Sequence, residues 1–356
     1  MLKCFNTFYI FNTNTTTQEK RFFNFTLFNN TPVELLAGAT FLVSAFCIEQ
    51  IIVACFIIRC YQRINIFHRF INMKYFDHFH IFGEIAYEEP TATLAAQVMA
   101  ESHLPYALDM GFAKAAQLVA SGKAGPRLMA EFLQQDAIYP GGAKTALGLP
   151  TFLGNHDFGR FAMFVRDMSG SDDAETLLAR VKLGHALMFL LRGVPTVYYG
   201  DEQGFISDGN DQLAREDMFP SKVGFYNDNN LVGSDATTAQ SNFDTAHPLY
   251  RLIADLSQAR SASPALRRGL SEVRAFAETA PGLLAVERHD PETGQRVLAV
   301  FNTSASALSH NVEVSYRASG VAPLIGNCPT ALTAPGTVGI ALPAFGFAAC
   351  ILETDD

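Results

Sequence analysis

The sequence predicts an α/β protein with a parallel sheet and crossover helices, followed by a small antiparallel β-sandwich domain and preceded by a leader of different composition. Three observations support this prediction. Strand-like and helix-like stretches alternate four times between residues 75 and 265. Over residues 280–355 the apolar residues recur with a period of two, which predicts five short strands at residues 283–290, 296–304, 311–316, 338–343 and 347–352. Before residue 81, glycine and proline are almost absent.

The leader differs from the rest of the chain in both amino-acid composition and net charge. Residues 1–80 hold 14 of the 30 Phe but only one of the 26 Gly and one of the 16 Pro. They carry seven Lys and Arg against four Asp and Glu, whereas residues 81–356 carry 19 against 31. We expect residues 1–34 to be a disordered leader unrelated to the rest of the chain. The overall net charge of −9 argues against a nucleic-acid partner.

An apolar run at residues 35–58 is long enough to cross a bilayer. Glu49 and Gln50 lie past its middle, where a carboxylate is costly. Two interpretations stay open: a transmembrane helix that gives membrane association, or a leader that is spurious or spliced.

The α/β body is predicted as four strands separated by helices. The strands are residues 80–85, 104–110, 149–157 and 194–200, and the helices are residues 91–103, 111–122, 128–138, 173–193 and 247–263. Polar residues follow the strand ends: Glu84, Asp109, Asn155, His156, Asp157, Asp201 and Glu202. In a (β/α) barrel, active sites are built at these ends. Within the C-terminal strands, Cys328 and Cys350 either pair or are two free thiols.

Two carboxylates on neighbouring strand ends, Glu84 and Asp157, suit acid–base chemistry on an acetal. Glycoside hydrolysis needs one carboxyl group that is protonated at working pH and one ionised carboxylate that faces the developing positive charge. The adjacent His156 and Arg160 can bind sugar hydroxyls and add positive charge beside the carboxylate. The alternative at this level is a salt-linked loop with a structural role.

Four motifs resemble the alpha-amylase family of glycoside hydrolases, in the family's order. "HIFGEI" (80–85) resembles its third conserved region and "TFLGNHDFGR" (151–160) its fourth. "LRGVPTVYYGDEQGF" (191–205) is similar to the eighth barrel strand and its loop, and residues 284–304 resemble the β-sandwich that comes after the barrel. The resemblance implies the C-terminal half of a (β/α)8 TIM barrel over residues 75–265. It also implies an α-1,4-glucan or maltooligosaccharide substrate, a retaining mechanism and a secreted or periplasmic enzyme.

The resemblance assigns a role to each matching residue. Glu84 matches the general acid/base, and Asp157 matches the carboxylate that holds the ring hydroxyls and stabilises the transition state. His156 matches a histidine on the same hydroxyls, Asn155 is expected to orient the loop, and Arg160 is expected to contact substrate. No cofactor is implied with certainty. Calcium is possible in the complete family enzyme, and residues 207–212 ("SDGNDQ") are either a partial calcium site or a solvated loop.

One part of the family's site is missing from the sequence. The resemblance implies a nucleophilic Asp two residues after an Arg. The nearest match, Arg63-Ile64-Asn65, has Asn instead of Asp and the downstream His one residue out of step, so we interpret it as chance or a decayed remnant and not as a site. Four strands also leave two unpaired sheet edges, which favours self-association. We therefore expect the chain by itself to be truncated and inactive. The alternatives are a transglucosylase of the same family, or a catalytically dead, membrane-anchored accessory subunit.

Overall fold

The structure is a computed structural model that describes residues 9–12, 79–171 and 173–354. Four parallel strands form the partial barrel: β2 (Phe79–Gly83), β3 (Tyr106–Ala107), β4 (Pro150–Thr151) and β5 (Val194–Pro195). Regular pairing joins β2 to β3 and β4 to β5. A backbone hydrogen bond of 3.0 Å from Asp109 to Pro150 continues the order from β3 to β4. The predicted parallel sheet is therefore present, although its strands are shorter than expected.

Helices connect these strands and come after the last one. They are α1 (Thr93–Ser102), α2 (Met110–Ser121), α3 (Pro126–Gln134), α4 (Ala143–Ala146), α5 (Phe161–Ser169), α6 (Ala174–Leu190), α7 (Pro248–Ala262) and α8 (Pro264–Arg268). The Asp173 carboxylate caps α6 by accepting a 2.8 Å hydrogen bond from the Thr176 amide. Gly122 ends α2 in the left-handed conformation, with φ of 78°. Both helix boundaries agree with the sequence prediction.

Helix α6 ends at Leu190, before the predicted Gly193, and two buried arginines bind its last carbonyl groups. Arg260 donates to the carbonyl oxygens of Phe189 at 2.6 Å and Leu191 at 3.0 Å. Arg288, on a strand of the C-terminal domain, donates to the Leu190 carbonyl at 3.1 Å. These cations occupy the negative end of the helix dipole and satisfy acceptors that the helix leaves open. The Arg288 contact also attaches the C-terminal domain to the barrel segment.

The structure describes only residues 9–12 of the leader predicted over residues 1–34, so the prediction that it is disordered lies almost wholly outside the described residues. Residues 9–12 form β1 (Tyr9–Asn12), which pairs antiparallel with β2 and places Tyr9 opposite Phe82. The backbone groups at an unpaired sheet edge bind any strand that can reach them, and this explains the pairing. One of the two edges expected to be open is thus covered, so self-association through that edge loses its basis. The apolar run at 35–58 lies outside the described residues.

The C-terminal domain consists of two antiparallel sheets. The five-stranded sheet has the order β10 (Ala318–Gly326), β12 (Phe347–Thr354), β8 (Arg296–Asn302), β7 (Leu283–His289) and β6 (Leu270–Phe276), and the two-stranded sheet pairs β11 (Thr337–Leu342) with β9 (Leu308–Glu313). The predicted sandwich is therefore formed. Its first strand begins at Leu270, before the predicted boundary at residue 280, and neither β6 nor β10 was predicted.

Both faces of strand β8 are buried, with alternate residues in different cores. Val297, Ala299 and Phe301 pack into the core shared with the helices of the partial barrel. Leu298 and Val300 pack into the core between the two C-terminal sheets. This alternation reflects the period of two in a strand, and it explains why the run is apolar throughout.

A disulfide joins Cys328 to Cys350, which settles the alternative that the sequence left open. Within the described part of the chain, no helix has both the length and the apolar character needed to cross a membrane.

Candidate active site

Glu84 comes directly after Gly83, the last residue of β2, and its side chain is buried at the carboxyl end of the sheet. Asp157 comes after β4 at the same end. Strand β3 lies between β2 and β4, so the expectation that these two carboxylates sit on neighbouring strands is corrected. The two residues nevertheless lie at the same edge of one parallel sheet, where the barrel architecture places catalytic groups.

The segment that carries Asp157 is a tight turn built on Asn155. The Asn155 side-chain oxygen accepts hydrogen bonds from the backbone amides of Asp157 at 3.0 Å and Phe158 at 2.7 Å. Asn155 and Gly159 also exchange two backbone hydrogen bonds. Gly154 has no room for a side chain, since a Cβ atom there would lie 2.4 Å from the Gly159 carbonyl oxygen. The expected bracing role of Asn155 is consistent with this geometry.

His156 and Asp157 present adjacent polar atoms to solvent at the end of β4. The His156 Nε2 lies 3.4 Å from the Asp157 Oδ1, and the two side chains are 22% and 38% exposed. A carboxylate and an imidazole at this separation can bind neighbouring hydroxyl groups of one sugar ring. Their partial exposure leaves both groups accessible to a ligand.

Arg215 completes this group, and sequence inspection missed it. Its Nη2 contacts the Asp157 Oδ1 at 3.1 Å and the Asp211 Oδ1 at 2.6 Å. Its Nε donates to the His156 carbonyl oxygen at 3.3 Å. Arg215 therefore ties the loop after β5 to the Asn-His-Asp turn and supplies positive charge beside Asp157. The i, i+4 spacing of Asp211 and Arg215 was the only signal available in the sequence.

Arg160 does not occupy the substrate-facing position that the resemblance led us to expect. Its side chain is fully buried, its Nε donates to the Glu216 carboxylate at 2.8 Å, and its Nη1 binds the Tyr199 carbonyl oxygen. The guanidinium also stacks over the Tyr198 ring at 4.1 Å. The expected substrate contact is thus replaced by a buried ion pair. Arg160 is the N-cap residue of α5, and its side chain turns inward from that position.

Asp201, which comes after β5, belongs to the same buried cluster. Its carboxylate lies 3.5 Å from Arg160 Nη1. Burial raises the pKa of Asp201 to about 7, and Arg160 opposes that rise. Asp201 therefore belongs to the packing behind the site.

The loop at residues 207–212 does not fit a calcium site. Asp208 accepts a 2.8 Å hydrogen bond from Asn229, and Asp211 pairs with Arg215. Across the ranges that the structure describes, no group of three or more His, Cys, Asp or Glu side chains converges on a point suitable for a metal ion. Calcium coordination requires six to eight oxygen ligands, which this loop does not assemble.

Similarity to a known protein family identifies the class of site that these residues form. A model of the alpha-amylase catalytic domain matches residues 59–269. The chain belongs to the alpha-amylase family. This result confirms the resemblance to the alpha-amylase family of glycoside hydrolases, and the motifs at residues 80–85, 151–160 and 191–205 lie within the match. The match begins before residue 75 and includes Arg63-Ile64-Asn65, which lies outside the described residues.

Two curated relatives illustrate how much of the chain the family covers. The alpha-amylase of Streptomyces lividans is 40% identical over 231 residues, which are 65% of this chain and 25% of that protein. The beta/alpha-amylase of Paenibacillus polymyxa is 32% identical over 119 residues, 33% of this chain and 8% of that protein. The chain thus spans a quarter or less of the length of these relatives.

Solved structures share the fold. An alpha-amylase from Anoxybacillus gives a TM-score of 0.59 at 20% identity, covering 77% of this chain and 52% of that one. The alpha-amylase of Geobacillus thermoleovorans, complexed with acarbose, gives 0.58 at 16% identity, covering 77% and 53%. The chain therefore matches about half of each structure.

Proposed function

We propose that this chain carries the sugar-holding part of a retaining, alpha-amylase-like glycosidase site for α-1,4-glucans and maltooligosaccharides. The observation that supports this most directly is the pair of His156 and Asp157, 3.4 Å apart and partly exposed at the end of β4. Asp157 binds ring hydroxyls and stabilises positive charge on the sugar as the glycosidic bond breaks. His156 donates to the same hydroxyls, and Asn155 holds the turn that carries both.

Glu84 is proposed as the general acid/base. It lies at the carboxyl end of β2, two strands from Asp157 in the sheet order. In a glycosidase, a carboxyl group in this position donates a proton to the leaving oxygen. Arg160 is proposed as a structural residue behind the site rather than a substrate ligand.

We propose further that the 356-residue chain alone does not turn over glucans. The nucleophile of a retaining glycosidase forms the covalent glycosyl intermediate. The one segment that imitates the family's Arg-x-Asp, Arg63-Ile64-Asn65, has Asn in place of the Asp, and we interpret it as chance or a decayed remnant. An amide cannot act as the nucleophile in place of the carboxylate, and losing a nucleophile lowers the catalytic rate by orders of magnitude. Binding of sugar at Asp157 does not depend on that group.

Titration calorimetry of the purified chain with maltoheptaose tests the site. We expect measurable binding, and at least about tenfold weaker binding in Asp157→Asn and His156→Ala, because each loses hydrogen bonds to sugar hydroxyls. Asp255→Asn, at an exposed position of α7, is the matched control and should bind like the parent. Equal affinity in Asp157→Asn and Asp255→Asn would remove the basis of the proposal.

A reducing-sugar assay on soluble starch tests the inactivity separately. Release of reducing ends by the purified chain would contradict the proposal that the chain alone does not turn over glucans. The second candidate function is transglucosylation, because a cyclomaltodextrin glucanotransferase from Bacillus is 23% identical over 177 residues. Chromatography of products longer than the starting maltoheptaose would favour it over hydrolysis.

A further inference from the structure

A cluster of buried charged residues lies where the barrel segment meets the C-terminal domain. Arg192, Arg260 and Arg288 are at most 8% exposed, and the carboxylates buried with them are those of Asp109 and Asp136. Arg192 binds both carboxylates, and its Nε donates to the two oxygens of Asp136 at 2.9 and 3.0 Å. The negative charge of the cluster is therefore held by one of its three cations.

Among the residues that the structure describes, the other two cations pair with carbonyl oxygens and with no carboxylate. The Arg288 Nη1 donates to the Leu190 carbonyl at 3.1 Å, and its Nη2 donates to the Gly269 carbonyl at 2.7 Å. Three carbonyl oxygens surround the Arg260 guanidinium in the same way. A helix C-terminus carries only about half an elementary charge, so α6 does not balance two guanidinium groups. Burial and the neighbouring cations of Arg260 and Arg192 lower the pKa of Arg288 well below its usual range.

Arg288 also has one hydrogen-bond donor without an acceptor. Its Nε is buried and has no partner within the described ranges. Ser271 lies directly opposite Arg288 in the pairing of β6 with β7, so the two side chains are on the same face of the sheet. The Ser271 hydroxyl is likewise buried with no partner in those ranges. A buried donor without an acceptor is costly, and it is more costly on a charged group.

A cavity of about 180 Å³ lies beside Ser271. It is enclosed by α3, the single helical turn Gln135–Ile138 and the start of β6, and Asp136 lines its other side. A water molecule occupies roughly 30 Å³ in the liquid, so the cavity has room for a small ligand. Because the Asp136 carboxylate is already bound by Arg192, it does not satisfy the donors of Ser271 and Arg288.

We propose that this cavity binds one small monovalent anion, held by the Arg288 Nε and the Ser271 hydroxyl. The anion accepts hydrogen bonds from both groups and supplies the negative charge that the cluster lacks, whereas a water molecule supplies only the hydrogen bonds. A monatomic anion fits best, because it accepts hydrogen bonds from any direction. Its binding stabilises the contact between the C-terminal domain and the turn that carries Asp136. The site shares no residue with the group at Asp157, so it does not depend on sugar binding.

The dependence of stability on chloride tests this site in the full chain. Sodium chloride replaces sodium gluconate at constant ionic strength, and urea denaturation measures the free energy of unfolding. The parent should become more stable as chloride rises, because the ion binds the folded state. Ser271→Ala removes one hydrogen bond to the ion and should weaken chloride binding roughly fivefold. Arg288→Met should abolish the chloride dependence.

Ser309→Ala is the matched control, since Ser309 is an exposed serine on β9 of the same domain. This variant should keep the chloride dependence of the parent. Anomalous diffraction from crystals soaked in sodium bromide locates the ion directly. We expect a bromide peak within hydrogen-bond distance of the Arg288 Nε and the Ser271 Oγ. If Arg288→Met does not fold, Ser271→Ala and the bromide peak decide.

The outcomes separate an anion from water and from the sugar site. Equal chloride dependence in Ser271→Ala and Ser309→Ala would overturn the proposal. Bromide found only on the protein surface, with water in the cavity, would overturn it as well. Asp157→Asn should keep the chloride dependence of the parent while it loses affinity for maltoheptaose. A parent that responds to chloride but does not bind maltoheptaose would contradict the proposed function and support the anion site.

Discussion

Arg160 and Glu216 form an ion pair of 2.8 Å in which the side chains are 0% and 3% exposed. The pair connects the turn of "TFLGNHDFGR" to the loop that carries Arg215. Its burial means that neither partner can be removed without leaving the other charge in a low-dielectric environment. The arginine of the motif is therefore held as part of the packing that supports the site.

Replacing Arg160 should destabilise the fold strongly. In Arg160→Met, the Glu216 and Asp201 carboxylates lose their cation, and we expect the free energy of unfolding to fall by about 3–5 kcal/mol. Urea denaturation measures this change. Arg166→Met is the matched control, because Arg166 pairs with the exposed Asp167 and should cost less than about 1 kcal/mol. Similar losses in both variants would show that Arg160 is not part of a buried ion pair.

Replacing Asn155 should affect sugar binding through the turn that it braces. Asn155→Ala removes the acceptor for the Asp157 and Phe158 amides, and we expect a loss of about 1–2 kcal/mol of stability. Maltoheptaose affinity should fall with it, because the Asp157 carboxylate is no longer held in place. Asn155→Asp keeps the acceptor and should retain most of the stability in thermal unfolding. A loss in Asn155→Asp as large as that in Asn155→Ala would contradict the bracing role.

His185 should make the protein less stable in mild acid. Its ring is fully buried in α6, its Nδ1 donates to the Val181 carbonyl oxygen at 2.9 Å, and burial lowers its pKa to about 4. Between pH 6.5 and pH 4 the unfolded chain binds a proton at this histidine that the folded chain excludes. The contribution of neutral His185 to the free energy of unfolding is therefore fully present above about pH 6.5 and is lost as the pH falls toward 4.

The size of this effect depends on the difference in pKa. Lowering the pH from about 7.5 to about 4.5 should remove about 2.5 kcal/mol through His185. His185→Leu places an apolar side chain in the same core. Its free energy of unfolding should therefore fall by about 2.5 kcal/mol less than that of the parent over the same pH range. Denaturant titrations of both proteins at the two pH values measure the difference. Parallel pH profiles would mean that His185 is not protected from protonation.

The disulfide should stabilise the C-terminal domain. Cys328 and Cys350 are 22 residues apart in the sequence, and closing a loop of this length contributes about 3 kcal/mol in the chain-entropy model. Cys328→Ala/Cys350→Ala should unfold at a correspondingly lower urea concentration. Treatment of the parent with dithiothreitol should reproduce the loss and leave the double variant unchanged. An equal response of both proteins to the reductant would contradict a native disulfide.

Local signals in the sequence located the helices and the site turn. The Asp173 cap, the glycine at residue 122 and the run of Asn155, His156 and Asp157 were each recognisable, because capping and turn formation depend on residues near in sequence. The period of two located five C-terminal strands. Strands β6 and β10 were missed because their burial is mixed, with no clean alternation of apolar and polar residues.

Long-range partners were not predictable from the same signals. The direction of Arg160 depends on Glu216, which is 56 residues away, and the role of Arg215 depends on Asp157, 58 residues away. The pairing of β1 with β2 joins segments about 70 residues apart in the chain. No local pattern in the sequence specifies which charged side chains will form an ion pair, or which strand will pair with a given sheet edge.

The family, the approximate positions of the helices and the polar residues that come after the strands were predictable from the sequence, since these depend on composition, spacing and motif order. Only the tertiary structure decided which of those polar residues face solvent and which are buried. His156 and Asp157 remain accessible because Asn155 turns the chain outward beyond β4, whereas Arg160 is drawn inward by the carboxylates of Glu216 and Asp201. The reason is energetic: a buried charge is costly unless counter-charges or hydrogen-bond partners surround it, and the fold determines where those partners lie.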